Sequence, residues 1–276
     1  MKVLVTGANG YLGQGVVKQL LDDGNDVIAT DFNDEHIDKR ATIKCTNIFD
    51  LENPFEYFDK PDVILHMAWK DGFIHNSINH FNDLPKHYLF LDKIIKSGIK
   101  QVAVLGSMHE VGFFEGSINE GTPTNPQSLY GITKDALRRA VELDCKNSDT
   151  VFQWIRGYYI VGNSEFGCSI FSKITQAVKE GKDKFPFTLG LNQFDFINYD
   201  DFCKQTADIV EQNEINGIIN VCTGRPEKLA DRVEKFIKEN NYDIQLEYGA
   251  FPDRPYDSKA IWGDNFKISI IEKNKV

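Results

Sequence analysis

The chain has 276 residues, of which 41% are hydrophobic and 26% charged, with 31 basic against 41 acidic side chains and a net charge of −10. That balance argues against a non-specific grip on nucleic acid, which needs a basic face against phosphates. At ~150 residues per domain the length suggests about two domains. The apolar start Val3–Val5 breaks at Thr6-Gly7, too soon for a signal-peptide core. No stretch approaches the roughly 20 apolar residues of a spanning helix. Five cysteines (Cys45, Cys145, Cys168, Cys203 and Cys222) are scattered with no C-x-x-C pair. This predicts reduced thiols in a cytoplasm rather than disulfides or zinc. His109-Glu110 opens like H-E-x-x-H, but position 113 is Phe, so no metal site is expected.

In chain order, β-rich apolar runs at Lys2–Thr6, Asp26–Thr30, Asp62–His66 and Gln101–Leu105 read as strands. Between the first two, Leu12, Val16, Leu20 and Leu21 fall on one face of a helix over Tyr11–Leu21, which Gly24-Asn25 ends. Leu89–Ser97 reads as a further helix, closed by Gly98. Strand–helix alternation of this kind predicts an α/β fold, a doubly wound parallel sheet covered on both faces. Beyond about residue 160 the rhythm loosens. Ser169–Glu180, Asp200–Asn213 and Leu229–Asn240 read as helices and Ile244–Tyr248 as a strand. Residues 1–160 are therefore expected to form the sheet domain. Residues 161–276 should form mainly a smaller, interleaved lobe, with segments around 190–225 returning to the first.

The first strand runs directly into Thr6-Gly7-Ala8-Asn9-Gly10-Tyr11-Leu12-Gly13 and a helix. Glycines at this spacing let the chain turn tightly and let backbone approach a pyrophosphate. The helix N-terminus supplies N–H groups and a positive dipole end to the anion. A protein of charge −10 can hold a dinucleotide in this way without a basic patch. Asp31, at the end of the second strand, suits an adenosine ribose and repels a 2′-phosphate, which favours NAD(H) and leaves NADP(H) open. The alternative is a glycine-rich turn with no ligand.

Tyr130 and Lys134 stand four apart, on one face of a helix. A lysine cation nearby should lower the phenol toward working pH and make Tyr130 an acid/base for a carbinol–ketone interconversion. Ten tyrosines among 24 lysines give about one such pair by chance, so the spacing alone decides little. Ser107, just after the fourth strand, lies where a parallel sheet puts its ligand crevice. Its alternative role is a turn or a helix cap.

Together these residues resemble the extended short-chain dehydrogenase/reductase family of nucleotide-sugar epimerases, dehydratases and 4-ketoreductases. The resemblance runs through T-G-x-x-G-x-x-G at Thr6–Gly13, Asp31, His66-Met67-Ala68-Trp69, Ser107, Tyr130/Lys134 and Arg156 to Gly162. It implies a Rossmann-type sheet with a substrate lobe, and a Ser107–Tyr130–Lys134 triad whose lysine also holds the nicotinamide ribose. It further implies cofactor contacts at Gly7, Asn9, Gly10, Tyr11, Leu12, Gly13, Asp31 and Phe32. Asn47 and Ile48 would sit by the adenine, Met67, Ala68 and Trp69 along the phosphates and ribose, with Asn82, and Tyr158 beside the nicotinamide.

Two positions depart from the family pattern. Phe194-Asp195-Phe196-Ile197 stands where R-D-F-[IV] is usual, and Tyr159 where epimerases often carry asparagine, facing the sugar. Arg254-Pro255 resembles the family's R-P-G-D segment, and the guanidinium fork of Arg254 suits the substrate diphosphate. Gly106–Gly112 and Phe251–Ser258 are similar to a bacterial subgroup, reductases of dTDP-4-keto-6-deoxyhexoses in O-antigen or surface-glycan synthesis. Within that subgroup His109 would lie near the sugar. The resemblance also implies a homodimer through Pro85–Ser97 and Tyr130–Asp144.

Three functions compete: reduction of a nucleotide-linked 4-ketohexose, 4-epimerisation or dehydration with retained NAD, and a non-catalytic dinucleotide sensor. The family's dehydratases typically place acidic residues between the serine and the tyrosine motif, next to a threonine, and here the first turn after Ser107 offers only Glu110. A sensor has no need of an intact triad. The sequence therefore favours the reductase.

Overall fold

The computed structural model describes residues 1–162, 169–252 and 258–275. Its first half comprises β1 (Lys2–Thr6), α1 (Tyr11–Asp22), β2 (Asp26–Thr30), β3 (Thr42–Ile43), α2 (Pro54–Tyr57), β4 (Val63–His66), α3 (Asn79–Lys96), β5 (Gln101–Ser107), β6 (Gly116–Ile118) and α4 (Leu129–Lys146). There follow β7 (Val151–Gly157), β8 (Tyr159–Val161), α5 (Ile170–Lys179), β9 (Lys184–Pro186), β10 (Gln193–Asn198), α6 (Tyr199–Val210) and β11 (Gly217–Val221). The chain closes with β12 (Pro226–Lys228), α7 (Leu229–Glu239), β13 (Gln245–Glu247), β14 (Ala260–Gly263) and α8 (Phe266–Asn274).

Seven strands build the main sheet in the order β11-β7-β5-β4-β1-β2-β3, every pairing parallel. Strand alternation explains why both faces are apolar. Val3 and Val5 pack on one side with Val16, Val17 and Leu20 of α1 and Phe202 and Ile209 of α6. Leu4, between them, points to the other side, against Phe90, Leu91 and Ile94 of α3 and Leu137 and Val141 of α4. Each such buried side chain contributes about 2 kcal/mol.

A smaller layer, β12-β10-β14-β6 with β8 on β10, is built around Phe171, Phe187, Phe194, Phe196, Val233 and Phe236. The strand order reverses between β1 and β4, so a crevice opens beyond their carboxyl ends.

Helix α3 begins at Asn79, ten residues before the apolar pattern announces it. Its first turns bury His80 and His87 rather than aliphatic side chains and contain Pro85, so neither periodicity nor propensity marks them. In β7 the apolar run of Val151, Phe152, Trp154 and Ile155 is broken by Gln153 and closed by Arg156, both buried. Among the described residues no helix is long and apolar enough to cross a membrane.

Candidate active site at the carboxyl edge of the sheet

The glycine loop follows β1 directly. Gly7 has φ +71°, and a Cβ there would lie 2.7 Å from the backbone N of Ala68, so glycine is the residue that fits. Gly10 donates its N–H to the Gly7 carbonyl and occupies the N-cap of α1, where no side chain caps the helix. Gly13 is buried in the first turn, behind Tyr11 and Leu12. The uncapped N–H groups of that turn are what a diphosphate requires. Asp31 accepts from the N–H of Asn9 (3.0 Å) and of Phe32 (2.8 Å), which fixes its carboxylate at the rim. Phe32 is 72% exposed beside it. Asn47 caps the short turn of the buried Ile48 and donates to Asp50 at 2.8 Å. This cradle fits a dinucleotide: an open helix start, a ribose-facing acid and an apolar edge.

Across the crevice, the Met67 and Ala68 N–H groups are held by Thr6, through its carbonyl at 3.2 Å and its hydroxyl at 3.3 Å. Trp69 lies at the centre of the site. The Lys134 ammonium sits 3.9 Å from the centre of the indole and donates to the Leu105 carbonyl at 2.8 Å. His87 stacks on Trp69 with ring centres 4.5 Å apart. Behind it, Thr6 Oγ1, His66 Nδ1, His66 Nε2 and His87 Nδ1 form a buried chain of contacts of 2.8 and 2.9 Å. Burial, with the Lys134 charge beside it, drives His66 down to about 3. Burial likewise holds His87 well below the usual histidine range, so both rings are neutral.

Ser107 ends β5 and caps the turn Met108–Glu110. Its hydroxyl faces Tyr130 and lowers the phenol. Gly131 lets α4 come this close, since a Cβ there would lie 2.4 Å from the His109 carbonyl. Burial pushes the Tyr130 phenol up to about 12, against the lowering effect of Ser107. The expected lysine effect is not what the geometry gives. The Lys134 ammonium is 6.0 Å from the phenol ring and turned to Trp69, and burial brings Lys134 itself down to about 7.

Two features escape a reading of the sequence. The first is Glu110, fully buried beneath Ser107. It accepts from the Ser107 N–H (2.6 Å), from Trp154 Nε1 (2.9 Å) and from Arg156 Nη2 (3.4 Å). Burial raises its carboxyl while Arg156 opposes the rise. The second is a wall of imidazoles. His75, His80 and His109 all have ring centres within 6.2 Å of the Tyr130 ring. Burial beside His75 lowers His109 to about 4. The available signal was distribution: five of the six histidines fall between positions 66 and 109.

The remaining predicted residues lie elsewhere. Tyr158 is in the core of the small layer, its hydroxyl buried with no partner among the described residues. Tyr159 packs on Phe194 and Phe196 (4.6 and 5.8 Å), so the phenylalanine that replaces the family's arginine serves the core of this layer. Asn82 is exposed in the first turn of α3. Arg254 and Cys168 lie outside the described residues.

The sequence model of the NAD dependent epimerase/dehydratase family matches residues 3–222. The chain belongs to that family. A dTDP-6-deoxy-L-talose 4-dehydrogenase (NAD(+)) of Aggregatibacter actinomycetemcomitans is 40% identical over 269 residues, covering 95% of this chain and 99% of the relative. Among solved structures, a UDP-glucose 4-epimerase of Thermotoga maritima superposes with a TM-score of 0.80 at 21% identity over all of both chains. A dTDP-glucose 4,6-dehydratase of Streptomyces venezuelae gives 0.82 at 18% identity, over 98% of this chain and 91% of that one. Those two likenesses show the fold, a Rossmann-type sheet with a second layer. As a member of the epimerase/dehydratase family the chain is an NAD-dependent enzyme of the oxidoreductase/epimerase group.

Proposed function

We propose that this enzyme reduces the C4 ketone of a nucleotide-linked, dTDP-type 4-keto-6-deoxyhexose. The reading rests on one observation above all: Ser107 faces the Tyr130 phenol and the Lys134 ammonium lies 6.0 Å from its ring, in a chain 40% identical to a dTDP-6-deoxy-L-talose 4-dehydrogenase over 95% of its length.

Gly7–Gly13 and Asp31 would hold the dinucleotide, with Asn9 and Phe32 at its ribose end and Lys134 at the nicotinamide ribose. NAD, when bound, supplies or accepts the hydride. Ser107 orients the sugar oxygen, and Tyr130 gives its proton to the alkoxide that forms there. A phenol pushed up to about 12 stays protonated at neutral pH and can give its proton to the alkoxide. The buried Glu110 is committed to Ser107, Trp154 and Arg156, so it does not face a sugar as a dehydratase acid would.

We assign the small layer to the sugar, with His109 and Tyr159 toward it and Arg254 toward the diphosphate. The exposed Leu89 and Leu143 on α3 and α4 support a homodimer.

The test is spectroscopic. NADH should be consumed in step with a dTDP-4-keto-6-deoxyhexose, and Tyr130→Phe should remove turnover by about a thousandfold while leaving NADH binding intact. Interconversion of sugars on tightly retained NAD, without net oxidation, would instead identify an epimerase.

A further inference from the structure

We propose that the 71–78 loop is a positioning device for Tyr130, in which the His75 ring sets the plane of the phenol and Asp71 braces the loop against the start of α3. The proposal builds on the acid/base reading of Tyr130 above.

The loop caps the helix that carries the tyrosine. The first N–H groups of α4 have no partner within the helix. The N–H of Tyr130 donates to the His75 carbonyl at 2.9 Å, and that of Leu129 to the Asn76 side chain at 3.2 Å. From the same residue the imidazole of His75 lies nearly parallel to the phenol, with ring centres 5.6 Å apart and an interplanar angle of 11°. His109 stands edge-on to His75, with centres 4.4 Å apart, and keeps it from swinging away.

Ring plane matters because a phenolic O–H prefers to lie in the plane of its ring. The plane therefore decides whether the proton points along the Ser107 side of the pocket.

The loop has its own internal brace. Asp71 takes φ +58°, a region costly for a residue with a Cβ. Its carboxylate accepts from Ser77 Oγ and Asn79 Nδ2, both at 2.7 Å, and its carbonyl from the Ile74 N–H at 2.7 Å. The hydrogen bonds from Ser77 and Asn79 also hold the carboxyl below the usual carboxylate range. The brace reaches the phenol through His75 and also through His80, whose Nε2 contacts the Ile74 carbonyl at 3.0 Å.

The experiment uses the full chain carrying ¹³C-labelled tyrosine, with the Tyr130 ring signal assigned by its loss in Tyr130→Phe. Ring exchange is read by NMR without substrate, and kcat and KM are read separately with NADH and the 4-ketohexose. His75→Ala should speed ring exchange and lower kcat about tenfold or more, with KM and NADH affinity within about twofold. His75→Phe, which keeps a flat ring in the same place, should restore both to within about threefold. Asp71→Asn, the milder change, should give the same pattern at about a third of the size, and it carries the test if His75→Ala does not fold.

A His75→Phe variant as impaired as His75→Ala would overturn the proposal, since the imidazole itself would then be needed. So would ring exchange unchanged in both His75→Ala and Asp71→Asn. If the wild-type chain leaves the sugar untouched, the functional reading falls, and the ring-exchange arm still decides this one.

Discussion

The two halves of the site are built in different ways. The cofactor end is made of backbone: a glycine turn, an open helix start and one carboxylate, all within the first 31 residues. The acid/base end is made of side chains from the ends of β4 and β5, the 71–78 loop, α3, α4 and β7, meeting around Tyr130. A backbone site tolerates change in neighbouring side chains but not a new Cβ. A side-chain site depends instead on every buried polar group keeping its partner, because an orphaned one costs far more than a bond gains.

The largest effect should therefore fall under the acid/base end. Glu110→Ala leaves Arg156 buried and unpaired and the Ser107 and Trp154 donors without an acceptor, so we expect a loss of about 3–5 kcal/mol in urea unfolding. A loss below about 1 kcal/mol would place Glu110 among ordinary helix-cap residues and weaken the contrast drawn above.

Gly7→Ala should cost less stability, about 1–3 kcal/mol, through its φ of +71° and the collision with Ala68. Its larger signature should be in NADH titrations, where affinity falls about tenfold or more while the Ser107–Tyr130 end is unchanged.

The smallest effect concerns pH. His109 is lowered to about 4 from an ordinary value of 6.5, so between those values the unfolded chain binds more protons than the folded one. Its contribution to stability is complete above pH 6.5 and is lost as pH falls toward 4. The Tm of wild type should drop more steeply over that interval than the Tm of His109→Asn, by a few degrees, in parallel calorimetric scans. Parallel curves would mean that the imidazole wall is open to water.

The same contrast explains what could be read from the sequence. β1, β2 and α1 are local objects with periodicity and glycine punctuation, and their bounds follow within a residue or two. The pairing of Tyr130 with Ser107 could be anticipated because the carboxyl edge of a parallel sheet is a known place. The company around them could not. Nothing in the spacing of His75, His80 and His109 says that three rings meet on one phenol. A glutamate that closes the turn capped by Ser107 likewise gives no sign of an arginine 46 positions away. Tyr158, given a cofactor role by resemblance, lies with its ring in the core of the small layer.

The strand order has a consequence for how the enzyme comes into being. β1 pairs with β2 and β4 soon after they are made, but α1, whose first turn forms the cradle, packs on α6, with Tyr199 donating to the Tyr11 carbonyl 188 positions away. The far edge of the same sheet waits for β11 at residues 217–221, and α8 packs behind it only when the chain is nearly finished. The longest-range contacts therefore lie behind the cradle, whereas Glu110 meets Trp154 and Arg156 across 44 and 46 positions. A chain ending just before residue 199 would already hold Glu110 with Trp154 and Arg156 while the cradle helix still lacked α6. During synthesis, the cluster beneath Ser107 should form before the cradle is fully backed.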